Sequence, residues 1–68
     1  MSDVPEHANR TRAEVYPDEA GEWRSRVFDA NGHELFKSSE GYDDQDDCVS
    51  VIKSRFGSIL IDYLDAAP

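Results

Sequence analysis

The sequence predicts an α+β fold built as a single βββα unit, an antiparallel three-stranded meander followed by one helix. Three observations carry that expectation. Short segments of alternating apolar and polar residues occupy the stretch from Arg12 to Tyr42. Asp18-Glu19-Ala20-Gly21 and Ala30-Asn31-Gly32 separate those segments with turn chemistry, and an amphipathic segment with acid at its start and base at its end follows directly.

Residues 1–10 are polar, contain Pro5 and show neither period 2 nor period 3.6, so they read as a disordered tail ahead of a domain over 11–65. In the first strand Ala13 and Val15 alternate with Arg12, Glu14 and Tyr16, and Pro17 ends the run because it has no N–H to give to a ladder. Gly21 supplies a positive φ at the end of the first loop. The second strand, Glu22 to Asp29, sets Trp23, Ser25 and Val27 on one face and Arg24, Arg26 and Phe28 on the other. Asn31-Gly32 predicts a tight hairpin, since both residues tolerate left-handed backbone angles. In the third strand, from about His33 to Ser38, Leu35 and Phe36 are adjacent and must face opposite ways.

A helix is expected directly after Tyr42, with Asp43 as N-cap and Asp44, Asp46 and Asp47 where the helix dipole favours negative charge. Cys48, Val49, Ile52 and Phe56 form its apolar stripe, Lys53 and Arg55 its basic end, and Gly57 its C′ residue. The β-branched and aromatic run Ser58 to Leu64 reads as a short fourth strand, with a further helical turn as the alternative.

Sixty-eight residues make one small domain whose core is limited, so an added source of stability is expected. With one cysteine and two histidines, neither an internal disulfide nor a tetrahedral zinc set is available, which leaves association with a second copy. Tyr16, Phe28 and Phe36 are expected together on the face away from the helix, an apolar surplus that one helix cannot cover and that suits a homodimer interface. A net charge of −8 disfavours nucleic acid, for which only Arg24, Arg26 and Lys37 offer a small basic footprint. The acid surplus itself suits solubility or an acidic, salt-adapted or GC-rich proteome. No apolar run approaches the roughly 20 residues of a membrane span, and the N-terminus has no signal pattern, so a cytoplasmic location with reduced Cys48 is expected.

The chemistry-bearing residue types each have a plainer explanation. Cys48 lies on the apolar helix stripe beside four aspartates that favour the neutral thiol, so it reads as packing rather than as a nucleophile. Asp43 to Asp47 lack the acid spacing, the central glycine and the terminal glutamate of a calcium loop. Glu40 with Asp43 is a carboxylate pair without an oriented partner, and His33 belongs to a hairpin tip. Trp23 either closes the core beneath the helix or anchors an interface, the core being favoured.

Glu14-Val15-Tyr16, Gly21-Glu22-Trp23-Arg24-Ser25-Arg26-Val27, Ala30-Asn31-Gly32, Ser38-Ser39-Glu40-Gly41-Tyr42 and, more weakly, Ile52-Lys53-Ser54 together resemble the YegP-like family of small bacterial and archaeal domains, domain of unknown function 1508. The resemblance covers about Arg12 to Ser54 and implies a βββα repeat, present there as tandem copies or as one copy that pairs with itself. Ser25 departs from the bulky residue usual at its place. Arg55-Phe56-Gly57 and the apolar segment after it depart from the family's basic, Asn-Ala-rich helix end. The family brings no established activity.

No residue is therefore assigned to catalysis, to a cofactor or to a metal, and the chain is expected not to be an enzyme. The expected function is that of a non-catalytic, self-associating protein-interaction module, with Tyr16, Arg24, Arg26, Phe28 and Phe36 at the interface. Its partners would be itself and another protein, with no nucleic acid and no membrane. The alternative is an acidic, phage-type inhibitor whose Asp-rich helix imitates DNA phosphates to occupy a basic site on a host protein. The aspartates bunch at one helix terminus instead of lining a face, which weighs against that alternative.

Overall fold

The structure, a computed structural model, describes residues 10–68. All but the last residue of the tail expected over residues 1–10 lies outside the described residues. In chain order come β1 (Arg12–Pro17), β2 (Trp23–Phe28), β3 (Glu34–Lys37), α1 (Gln45–Phe56) and β4 (Leu60–Tyr63). They make an α+β fold with one mixed sheet in the order β3-β2-β1-β4 and α1 packed across one face against β1 and β2. The first three strands form the expected antiparallel meander, and the C-terminal segment adopts the strand reading. It runs parallel to β1, because α1 serves as the crossover that carries the chain back to the same end of the sheet.

Strand alternation and one register sort the side chains. Ala13 lies opposite Val27 and Val15 opposite Ser25, so the apolar set of β1 and β2 shares the face under the helix. There Ala13, Val15, Val27, Cys48 and Ile52 lose all contact with solvent. Around them pack Trp23, Phe36, Tyr42, Val49, Phe56, Ile59 and Ile61, each partly buried. At about 1.5–3 kcal/mol for each fully buried large aliphatic side chain, so small a core leaves little margin over the entropy of ordering the chain.

Both hairpins use the same device, Asp-x-x-Gly-x, in Asp18–Glu22 and in Asp29–His33. The Asp18 carboxylate accepts the N–H groups of Ala20 and Glu22, each at 2.9 Å. The Asp29 carboxylate accepts those of Asn31 and His33 at 2.8 and 2.9 Å. In each loop the glycine N–H returns to the aspartate carbonyl at 3.0 Å, and only the glycine takes a positive φ, +81° at Gly21 and +87° at Gly32. The turn expected at Asn31-Gly32 is thus corrected. Asn31 keeps a negative φ because the Asp29 side chain already organises a longer loop that needs left-handed geometry at one residue alone.

A second correction concerns Phe36. From the hairpin, Phe28 pairs with Glu34, and an unbroken ladder would set Leu35 opposite Val27 and turn Phe36 away from the helix. The register instead shifts between Val27 and Phe28, so Leu35 is the extra residue of a bulge and Phe36 meets Val27. Phe36 therefore lies under α1, edge-on to Phe56 at 5.9 Å between centroids, with the Arg55 guanidinium 5.0 Å from its ring centre. Leu35 stays 52% exposed.

The helix also starts later than expected, at Gln45 with Asp44 as N-cap, and the Asp44 side chain makes no capping bond. Tyr42 explains the delay: its N–H and C=O are both bonded to Trp23, at 2.9 and 2.7 Å, so the chain must first leave the sheet. Asp46 and Asp47 fall in the first turn and Lys53 and Arg55 in the last, as expected. Gly57 ends the helix, its N–H bonded to the Lys53 carbonyl at 2.9 Å. Its angles, φ +74° and ψ −150°, are extended in ψ and not those of a left-handed helical turn.

The Trp23–Tyr42 bridge leaves no room at Gly41. A Cβ there would lie 2.5 Å from Glu22 Oε1 and 2.6 Å from Glu22 Cβ, and the second contact cannot be relieved by rotating a side chain. Gly41→Ala is expected to cost about 1–3 kcal/mol in denaturant unfolding. The loss should persist in a Glu22→Ala background, where Cβ remains, and a neutral result would show that the bridge is loose.

Candidate functional site

The face of the sheet opposite α1 is open, and the register puts four strands' worth of polar and aromatic residues on it. Arg12 lies opposite Phe28 and Glu14 opposite Arg26, a square of neighbours on β1 and β2. Glu14 holds both arginines: its Oε1 accepts Arg26 Nε at 2.8 Å, and Arg12 Nη1 lies 3.5 Å from its Oε2. The two guanidinium carbons sit 5.1 Å (Arg12) and 5.0 Å (Arg26) from the centre of the Phe28 ring, in cation–π range. Tyr16, opposite Arg24, is 6% exposed. Arg24 is tied to the first hairpin, its Nε donating to Asp18 Oδ2 at 2.7 Å.

Of the expected interface residues, then, Tyr16, Arg24, Arg26 and Phe28 share this face, and Phe36 does not. Arg12 and Glu14, which organise it, were not singled out by the sequence analysis. Their alternation with Ala13 and Val15 was the available signal. Lys37 joins the face opposite Arg26, Glu34 opposite Phe28, and Leu60 and Asp62 of β4 stand beside Arg12 and Glu14. Four cations, Arg12, Arg24, Arg26 and Lys37, thus stand among five acids, Glu14, Asp18, Glu22, Glu34 and Asp62. Most of the acid surplus of a chain with net charge −8 lies elsewhere. Each exposed ion pair contributes little alone, but together they fix the arginines in place.

Chemistry elsewhere is sparse. Burial pushes the Cys48 thiol up, opposed by a hydrogen bond with Ser25, so the thiol stays protonated and shielded. Ser25 is itself buried, its N–H donating to Ser38 Oγ at 3.0 Å, so small polar residues fill the space beneath Cys48. His33 stands out in solvent with Nδ1 3.6 Å from Asp29 Oδ2. Among the described residues no group of three or more His, Cys, Asp or Glu is placed to hold a metal ion, and no helix is long and apolar enough to cross a membrane. A shallow depression of about 310 Å³ between Pro17–Glu19 and Asp65–Ala67 carries acids and no oriented base. A scan against protein-family models and searches of curated proteins and of solved structures returned no match.

The hairpin carboxylates favour the folded state in their charged form. The Arg24 hydrogen bond, followed by the Glu22 N–H, holds Asp18 below the usual carboxylate range. The His33 N–H does the same for Asp29. A depressed folded-state value contributes stability above the unfolded value near 4, and that stability is lost as pH falls through the folded value. The melting temperature should therefore fall below about pH 4, and fall less in Asp18→Asn/Asp29→Asn, which should be less stable than the parent at pH 7. Parallel profiles for the two proteins would place the acid sensitivity elsewhere.

Proposed function

We propose that this chain is a non-catalytic, self-associating protein-interaction module whose working surface is the open face of the sheet. The observation that carries the proposal is Phe28 clasped by Arg12 and Arg26 on the most cationic face of an otherwise acidic chain. Arginine and aromatic side chains dominate binding hot spots. Holding them in place beforehand lowers the entropy lost on binding. Self-association fits the same face, because its arginines and lysine offer the acids of a second copy opposite charge where the rest of the chain offers like charge. The likeness to YegP-like domains belongs to the same proposal, as a βββα unit that pairs with itself, in a cytoplasmic setting.

The test is differential capture. Tagged parent, Phe28→Ala, Arg26→Ala and an Asp44/Asp46/Asp47→Asn triple variant are incubated with lysate of the source cells, with folding checked by circular dichroism. The two open-face variants should lose at least tenfold of the parent's captured protein while the triple variant retains it. The reverse pattern, with binding by the parent that weakens steeply in salt, would favour the DNA-mimicking inhibitor.

A further inference from the structure

Two cations face each other across the open side of the sheet. Arg26 of β2 stands directly opposite Lys37 of β3, and Arg24 lies two residues from Arg26 along β2, on the same side. The Ser38 N–H donates to the Ser25 carbonyl at 2.9 Å, so Ser25 and Ser38 are a hydrogen-bonded pair and Arg26 and Lys37 the adjacent, non-hydrogen-bonded one. That is the closer kind of pair, with Cα atoms about 4.5 Å apart, and like charges directly opposite each other destabilise a sheet. A chain with fifteen acidic residues and seven basic ones has nonetheless placed two cations there.

The neighbouring acids leave these cations only partly satisfied. Glu14 holds Arg26 and Asp18 holds Arg24, each through Nε, at 2.8 and 2.7 Å. A guanidinium has more donors than one such bond uses. Lys37 is exposed and forms no ion pair with a described residue.

We propose that Arg24, Arg26 and Lys37 bind the phosphate of a phosphorylated serine on a partner protein. The inference rests on the interaction-module reading above and names the chemistry of the partner. A phosphate monoester brings more charge and more acceptor oxygens than a carboxylate, and arginine forks match its geometry, so it suits a cluster of three cations better. Placed between Arg26 and Lys37, it relieves their repulsion. Charge also limits the size of the ligand. Glu14, Asp18, Glu22 and Glu34 stand beside the cations on a chain of net charge −8, which repels a run of phosphates such as a nucleic acid while a single phosphate is accepted. Phe28, two residues beyond Arg26 on the same face, offers an apolar surface to a residue flanking the phosphoserine, which favours a protein source over free phosphate.

Backbone amide shifts of the full chain, titrated with the peptide acetyl-leucyl-phosphoseryl-leucine amide, test the inference. Saturable shifts are expected at Arg24, Arg26 and Lys37. The serine and glutamate forms of the peptide, inorganic phosphate and a single-stranded oligonucleotide should each bind at least tenfold more weakly. Lys37→Glu, an exposed change that sets an opposite charge across from Arg26, should keep the fold and lose at least tenfold in affinity for the phosphopeptide; should it not fold, Lys37→Gln decides in its place. Absence of saturable shifts, or a variant that binds as tightly as the parent, overturns the inference. Equal binding of inorganic phosphate overturns the partner side chain as the source, and tighter binding of the oligonucleotide replaces it with nucleic acid. The interaction-module reading fails separately, in the capture experiment, if Phe28→Ala and Arg26→Ala retain the captured protein.

Discussion

Packing of Cys48 and Ile52 from α1 onto Ala13, Val15 and Val27 is the contact on which the rest depends, because there the helix and the two central strands exclude water completely. It fixes which face of β1 and β2 is inside. With period-2 strands, that choice also decides the outside, so the position of Val15 dictates that Glu14 and Tyr16 face the other way. The clasp around Phe28 is a consequence of core packing transmitted through strand parity. The same contact anchors the crossover that brings β4 to the β1 edge.

A core this small has to be supplemented by cheap local order, and the hairpins supply it. Two aspartates each bind two backbone N–H groups, closing loops that would otherwise expose unpaired donors. Asp18 then extends the order to Arg24, linking a turn to the open face. The polar and apolar halves of the sheet are thus coupled: loops hold the register, the register holds the core, and the core presents the arginines.

The meander, the helix with its charged ends and the fourth strand were legible because period, turn glycines and helix-end charges agree in each of them. The paired hairpin device is also written in the sequence, as Asp-x-x-Gly twice eleven residues apart, although Asn31-Gly32 taken alone has the chemistry of a tighter turn. The side of Phe36 was not legible. It depends on a bulge at Leu35, and placing Phe36 against Phe56 is a tertiary gain that no local pattern encodes. The delay of the helix to Gln45 is of the same kind, set by the bridge from Tyr42 to Trp23. The arginine clasp was half visible: alternation put Arg12 and Glu14 on the face of Arg26 and Phe28, while their mutual contacts follow from a register known only once the strands are paired.

The central claim is that five buried side chains hold the sheet faces in place, and denaturant unfolding of Ile52→Ala beside Leu35→Ala tests it most directly. Ile52 is fully buried whereas Leu35 is half exposed in its bulge. Truncation of Ile52 should cost roughly 2–5 kcal/mol, a large share of the total for a domain this size, and truncation of Leu35 about 0.5 kcal/mol or less. Equal losses at the two positions, or an Ile52→Ala protein as stable as the parent, would contradict the account.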